Sequence, residues 1–456
     1  MLSQPLAEEL ERVARLPIET AGVMFASVVP SEVGGARLLG RGIRWVGESH
    51  YVRRGRDHMT IGSEGYVPFL GEAEKLGAVA IWVHTHPGKD AWPVASRADV
   101  VVDGQLAELF RLRSGSNYYG MLIVSPRQRL FAFTGQLQRV GEVPVPFGRA
   151  WIVGDRLAAI RTFGGPTIPM DEAFDRNVRA LGGGVQEALG DLQAGIVGCG
   201  GTGSAVAEQL VRLGVRRFVL FDPDRLSASN VTRVYGSTPA DVGKGKVDVL
   251  ATHLSRIAPD VACRSQKSMI TLEPTARTLS ECDVVFGCTD DNAGRLVLSR
   301  LATYMLTPVF DCGVLISSDA EGQVTGIDGR VTTLVPGQAC LVCRGRIDTK
   351  RAAAELMTPK ERIRLEREGY APALGRVEPA VVTFTTLVAA AAVSELLERL
   401  VGYGPTPRPS EVLLRCHERE TSTNAQAPRA RHYCDSTSGK LGLGVTAPFL
   451  DQTWSQ

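Results

Sequence analysis

The chain has 456 residues, enough for two or three domains with separate cores, and its net charge of +2 with 22% charged residues excludes an acidic tail or a basic nucleic-acid stripe. Its nine cysteines, none before Cys199, argue against a disulfide framework and for a reduced, cytoplasmic setting. No membrane segment is expected: Met1 to Leu16 reads as an amphipathic helix rather than a signal peptide, and the longest apolar helix candidate, Leu387 to Leu400, is interrupted by Ser394, Glu395, Glu398 and Arg399.

In residues 1–140, Leu6, Leu10, Val13 and Leu16 form a helical stripe. Pro17-Ile18-Glu19-Thr20-Ala21-Gly22 then leads into a strand over Val23 to Val29. A second buried strand, Ala78 to Val83, runs into His84-Thr85-His86-Pro87. Histidines at i and i+2 of a strand project from one face, so both imidazoles can reach one metal ion. Ser96-Arg97-Ala98-Asp99 opens the next helix, which carries Val100, Leu106 and Leu109, with Ser96 placed as its N-cap. Three protein ligands leave a fourth zinc position open, as a hydrolytic metal site requires.

These residues resemble the JAMM (MPN-type, or JAB) zinc isopeptidases, whose pattern is a Glu in a P-x-E-x-x-G setting, then H-x-H-P, then S-x-x-D. The resemblance implies an α/β zinc-hydrolase domain in which His84, His86 and Asp99 bind a catalytic zinc, Glu19 takes the proton of the attacking water and Ser96 donates to the oxyanion. The gap from Pro87 to Ser96 is slightly longer than in the commonest version. The plainer alternatives are a helix cap for Ser96 and a turn carboxylate for Glu19.

Residues 141–172 are rich in Pro, Gly and Val, with an apolar run at Trp151 to Val153, and read either as a linker or as an extension of the first domain. Phe174-Asp175-Arg176-Asn177 follows. The organising stretch comes next: the apolar run Ala194 to Val197 meets Gly198, Gly200 and Gly203 in G-x-G-x-x-G spacing, with Gly201 between them. A helical stripe (Val206, Leu210, Leu213) ends at Gly214, and a second apolar run, Phe218 to Phe221, ends on Asp222. This is a βαβ nucleotide site, its glycines letting amides and a helix N-terminus approach phosphate oxygens. Asn230, Arg233 and Lys246, followed by Cys288-Thr289-Asp290-Asp291-Asn292 and Arg295, suit ATP with magnesium better than the flat nicotinamide pocket of a dehydrogenase.

Residues 173–434 resemble the ubiquitin-activating-enzyme-like adenylyltransferases, which include the ThiF, MoeB and HesA proteins. The resemblance implies a Rossmann-like adenylation domain in which the glycine loop and Asp222 hold the nucleotide, Asn230, Arg233 and Lys246 hold the phosphates and Asp290 holds magnesium. Arg176 matches the segment whose Arg reaches the ATP of the other subunit, which implies a homodimer. Cys340 and Cys343 match half of a structural zinc site; the other half is altered, leaving His432 and Cys434 as its remaining ligands or the site degenerate. Val234 stands where Gln is usual, and Leu374 to Pro379, where relatives place a thioester-forming cysteine, has none. Residues 435–456 read as a loose tail.

The combined expectation is an enzyme that uses ATP, magnesium and zinc to adenylate the glycine-terminated tail of a ubiquitin-like or sulfur-carrier protein, with a peptidase that processes or removes that carrier. A conjugating enzyme or a sulfurtransferase would be a further partner; neither nucleic acid nor membrane is expected. The alternatives are a sulfur-carrier activator in thiamine, molybdopterin or cysteine biosynthesis, and a non-catalytic carrier-docking module.

Overall fold

Apolar residues alternate along Val79–Thr85 so that Ile81 and Val83 enter one core layer and Ala80 and Trp82 the other, as a strand buried on both faces requires. The computed structural model describes residues 1–31, 35–88, 92–162, 172–357, 361 and 379–454. It divides into two units, Met1–Thr167 with Gly442–Val445, and Ile168–Leu441 with Thr446–Gln456.

The first unit begins with β1 (Leu2–Ser3) and α1 (Gln4–Ala14), then β2 (Ala21–Pro30), β3 (Ala36–Trp45), the hairpin strands β4 (Tyr51–Arg54) and β5 (Met59–Ile61), and α2 (Val67–Lys75). It continues through β6 (Val79–Thr85), α3 (Arg97–Ser114), β7 (Tyr118–Pro126), β8 (Phe131–Arg139), β9 (Val145–Pro146), β10 (Arg149–Val153) and β11 (Leu157–Arg161). The central sheet has the order β3-β2-β6-β7-β8-β9. Leu6, Leu10 and Ala14 of α1 pack on one face; Leu70 and Ala73 of α2 with Leu106 and Phe110 of α3 pack on the other. A capping box starts α3, with Asp99 N donating to Ser96 Oγ and Ser96 N to Asp99 Oδ2, and Gly115 ends it in the left-handed region that glycine adopts most readily. Within residues 145–161, β9 pairs with β8, while β10 runs parallel to β1 and antiparallel to β11. Residues 163–171 of the expected linker lie outside the described residues.

The second unit contains α4 (Asp175–Leu181), α5 (Gly183–Asp191), β12 (Gln193–Val197), α6 (Gly201–Arg212), β13 (Arg217–Phe221), α7 (Lys246–Ile257), β14 (Ala262–Gln266) and α8 (Glu273–Thr278). These are followed by β15 (Val284–Gly287), α9 (Asn292–Tyr304), β16 (Val309–Ser318), β17 (Val324–Leu334), α10 (Thr349–Glu355), α11 (Val382–Val401), β18 (Glu411–Arg415) and β19 (Glu420–Asn424). Its sheet has the order β14-β13-β12-β15-β16-β17-β18-β19, parallel from β14 to β16 and antiparallel beyond. The strand order reverses between β12 and β15, which is where open α/β sheets bind ligands, beyond the carboxyl ends of the strands.

The expected loose tail is a packed segment. Phe449 and Leu450 are buried, Arg300 donates to the carbonyls of Leu450 and Asp451 at 2.7 and 3.0 Å, and Tyr304 OH donates to Asp451 Oδ2 at 3.0 Å. Apolar burial together with charge-assisted bonds outweighs the entropy of holding the end of the segment in place. Among the described residues no helix is long and apolar enough to cross a membrane.

Candidate active and metal sites

In the first unit, pairing of Ala21 with His84 and a bond from Thr85 N to Thr20 O set Glu19 beside the end of β6. His84 lies on the same face as Ala80 and Trp82, toward α3, whose first turn delivers Asp99. Asp99 Oδ1 is 3.3 Å from His84 Nε2, and Oδ2 is 3.4 Å from His86 Nε2. Ligand bonds near 2.0–2.1 Å at tetrahedral angles correspond to N···O separations of roughly 3.3 Å; Asp99 meets each histidine at about that separation through a different oxygen, and the three ligand atoms lie within 4.8 Å of one another, so the donor set can hold zinc. Both ring nitrogens of His84 are buried without a hydrogen bond, despite the short approach to Asp99. Burial raises the Asp99 pKa, but His84 and the 2.6 Å bond from Ser96 N outweigh it and hold the carboxyl well below its usual range. Burial, reinforced by His84, lowers the pKa of His86.

Glu19 stands outside this ligand set. Burial raises its pKa, partly offset by His84. Its backbone is clamped by the β4–β5 hairpin, through Glu19 N donating to Gly55 O and Arg54 Nε donating to Glu19 O, both at 2.8 Å. Sequence reading missed this hairpin, because nothing local ties Arg54, Asp57 or His58 to a glutamate more than thirty positions away. Ser96 Oγ accepts from Asp99 N at 3.1 Å, so the helix-cap role is realised; a hydroxyl that accepts this way can still donate its proton.

In the second unit the glycine loop joins β12 to α6. Gly198 has φ +88°, and a Cβ there would stand 2.6 Å from Cys288 O. A Cβ at Gly203 would collide with Gly198 O, and Gly200 caps α6. Asp222, ending β13, accepts from Cys199 N at 2.8 Å and Asp224 N at 2.9 Å. Its burial raises the carboxyl pKa against the pull of Lys246. Lys246, the first residue of α7, places Nζ 2.7 Å from Asp224 Oδ2 and 3.9 Å from Asp222 Oδ1. Arg233 passes over the first turn of α6, where a Cβ at Gly201 would be 3.3 Å from its Cδ, and donates to Ser229 O at 3.0 Å. Asn230 Oδ1 accepts from Ser227 N at 3.1 Å. Asp290 is exposed beyond β15, next to the strand end that touches Gly198.

The structure therefore gathers Gly198, Gly200, Gly201, Gly203, Asp222, Arg233 and Lys246 around β12 and α6, with Asp290 one strand away. Arg176 is exposed on α4, with no hydrogen bond or ion pair among the described residues. Phe174 packs under Arg216 at 5.5 Å. Val234 is buried. The region expected to lack a cysteine, Leu374 to Glu378, lies outside the described residues.

The altered half of the zinc site closes. Cys340, Cys343, His432 and Cys434 present ligand atoms within 4.8 Å of one another. Cys343 and Cys434 sulfurs are 3.6 Å apart, and His432 Nδ1 is 3.6, 3.4 and 3.2 Å from the sulfurs of Cys340, Cys343 and Cys434. Tetrahedral zinc with sulfur at about 2.3 Å and nitrogen at about 2.0 Å needs separations of roughly 3.8 and 3.5 Å, so a Cys3His site fits. The hydrogen bond from Cys434 pulls the Cys340 thiol well below its usual range.

The fold and these sites define a Rossmann-like nucleotide-binding unit with a Cys/His metal cluster, preceded by an α/β unit with a His/His/Asp cluster. The ThiF family model matches residues 174–436, more than half of the chain, and the chain belongs to the ThiF family. It is similar to the ubiquitin-like modifier-activating enzyme 5 of Oryza sativa subsp. japonica, with 32% identity over 171 residues, covering 34% of this chain and 38% of that protein. It is also similar to the molybdopterin-synthase adenylyltransferase of Escherichia coli K12, with 34% identity over 162 residues, covering 36% of this chain and 62% of that protein. The chain thus spans less than two thirds of either relative. A crystal structure of E. coli MccB with ATP aligns at 18% identity and a TM-score of 0.44 over 59% of this chain and 76% of that one.

Proposed function

We propose that the second unit adenylates the C-terminal carboxylate of a ubiquitin-like or sulfur-carrier protein with a glycine-terminated tail, and that the first unit is a JAMM-type zinc hydrolase that cleaves the peptide or isopeptide bond after that tail. The observation that carries the adenylation reading is the gathering of the glycine loop, Asp222, Arg233 and Lys246 at the strand-order reversal, with Asp290 beside them. A carboxylate oxygen of the tail attacks the α-phosphorus of ATP, the bond to the bridging oxygen of the β-phosphate breaks, and pyrophosphate leaves; the product is an acyl adenylate. Asp222 orients the ribose, while Lys246, Arg233, Asn230 and the loop amides hold the phosphates and neutralise developing charge. Magnesium at Asp290 would screen the phosphate charge. Arg176 would serve the nucleotide of a second copy in a homodimer.

The hydrolase reading rests on the buried, unpartnered His84 ring nitrogens and the fit of His84, His86 and Asp99 to zinc. Zinc bound there would supply a Lewis acid at the scissile carbonyl. Glu19, its pKa raised by burial, takes the proton of the attacking water and passes it to the leaving amine, and Ser96 Oγ donates to the oxyanion. Both activities act on one tail, so the chain can mature and activate a carrier, or remove it from targets. A conjugating enzyme or a sulfurtransferase would take the adenylate onward, and the Cys3His site would hold a structural zinc.

The test is pyrophosphate exchange into ATP with a carrier encoded beside the gene, together with cleavage of that carrier fused through its tail to a reporter. Exchange that needs no carrier, or an intact fusion after long incubation with zinc-loaded protein, would sink the corresponding half.

A further inference from the structure

One group of charges at the C-terminal edge of the second sheet has no part in the nucleotide site described above, although the sequence pattern places its Arg295 with the residues that suit ATP. Asp311 on β16, level with Gly287 of β15, is fully buried. Arg330 of β17 donates from Nη2 to Asp311 Oδ2 at 2.5 Å, and Arg295 of α9 places Nε 3.4 Å from Asp311 Oδ1. The pairing is incomplete. Asp311 Oδ1, Arg295 Nε and Arg330 Nε are buried with no hydrogen-bond partner among the described residues. Two guanidinium groups facing one carboxylate leave a formal excess of positive charge. Both forks come to the surface at the backbone of Gly313, where a Cβ would stand 3.4 Å from Arg330 Nη2 and 3.7 Å from Arg295 Nη2.

Buried polar groups are normally paired, so unpaired ones mark a place where a ligand or water completes the set. A guanidinium fork matches a carboxylate in shape and charge better than any other side chain does. The position fits the chemistry as well. Along the sheet edge the order is β12 with the glycine loop, β15 leading to Asp290 and on into α9 with Arg295, then β16 with Asp311 and β17 with Arg330. A group held between Arg295 and Arg330 is therefore at the same sheet edge as the glycine loop, with Arg330 two strands beyond the strand that leads to Asp290.

We propose that Arg295 and Arg330 receive the free C-terminal carboxylate of the incoming tail and orient it toward the α-phosphate. This rests on the adenylation reading above. Asp311 is the positioning residue that sets the two forks, and Gly313 is glycine because a longer side chain would cover them. A tail that ends in an amide, or that is still joined to a further residue, carries no charge at this point and is refused.

The experiment uses the full chain with MgATP analogue blocked between the α- and β-phosphates, and two fluorescent ten-residue peptides ending in Gly-Gly, one a free acid and one a C-terminal amide. The free acid should bind roughly tenfold more tightly than the amide, a difference of about 1.4 kcal/mol. Arg295→Gln and Arg330→Gln should each remove most of that preference without changing affinity for the ATP analogue. Because Arg330→Gln leaves buried Asp311 with only the longer approach of Arg295 and could unfold the unit, Gly313→Val provides a variant with all charges intact, and it too should lose the preference. Equal binding of acid and amide by the wild type, including no binding of either, overturns the assignment. So does an undiminished preference in Arg295→Gln and Gly313→Val. Failure of the wild type to bind the ATP analogue overturns the adenylation reading itself.

Discussion

His84 carries both ring nitrogens into the core without a hydrogen bond among the described residues, with Asp99 and the ring of His86, the other members of its cluster, close by. Zinc would satisfy that arrangement, so removing the metal should destabilise the first unit; at a zinc concentration one hundred times its Kd the stabilisation is about 2.7 kcal/mol. Thermal melts with and without chelator check this, and His84→Ala or Asp99→Ala should lose one zinc per chain by metal analysis. Glu19→Gln, by contrast, should keep the metal and lose cleavage of a carrier fusion; cleavage at the wild-type rate would show that Glu19 is only a turn carboxylate. On the nucleotide side, Arg233→Ala and Asp290→Ala should each lower pyrophosphate exchange by roughly 10² to 10³, the usual consequence of removing a charge-stabilising group. The groupings of His84 with His86 and Asp99, and of the loop glycines, were legible in the sequence because their geometry is local. His84 and His86 share a strand face, Asp99 sits three positions after its own cap, and the glycines lie within one loop. The guanidinium of Arg54 and the charges of the β4–β5 hairpin were not legible, since only the fold brings them to Glu19.

At the level of elements, the reading succeeded where a short segment states its own geometry and failed where the partner is remote. The βαβ unit, α3 and its cap, and α11 follow from periodicity, capping residues and glycines. The strands at 149–161 do not, because β10 pairs with Leu2–Ser3 about 150 positions earlier. The tail failed for the same reason: a stretch of mixed composition is held by Arg300 and Tyr304 of α9. Leu450→Ala should therefore lower stability by about 2–5 kcal/mol, the range for truncating a buried leucine, and a melt that does not move would return the segment to the status of a loose end. The Cys3His cluster joins the turn at Cys340–Cys343 to a segment some ninety residues later. His432→Cys should retain its zinc, whereas His432→Ala should lower zinc affinity measurably in a chelator competition, leaving the count at the His/His/Asp site unchanged.

Across the whole molecule the nine cysteines limit how far the chemistry can proceed on this chain. Cys199 and Cys312 are buried at the nucleotide edge, Cys282 is fully buried before the opposite end of β15, Cys288 is pushed well up by its hydrogen bond with Cys312 and by burial, and burial raises Cys263 to about 11, so none of these supplies a ready thiolate. Cys340, Cys343 and Cys434 are committed to the metal cluster. Cys416 follows β18, three strands from β15, which is roughly 14 Å along the sheet from the strand end where the adenylate would form. Residues 358–360 and 362–378, outside the described structure, contain no cysteine. The adenylate should thus persist or pass to a partner's thiol, without a thioester on this chain. Incubation with MgATP and carrier should give AMP-modified carrier by mass spectrometry and no adduct band that a thiol reagent removes. A reducible adduct lost on Cys416→Ser would identify a nucleophile that moves to the adenylate. Each unit also has its own sheet and its own candidate site, so His84→Ala should leave pyrophosphate exchange unchanged while Lys246→Ala leaves fusion cleavage unchanged; exchange falling in step with cleavage in His84→Ala would show that the two reactions are coupled through the chain rather than merely carried by it.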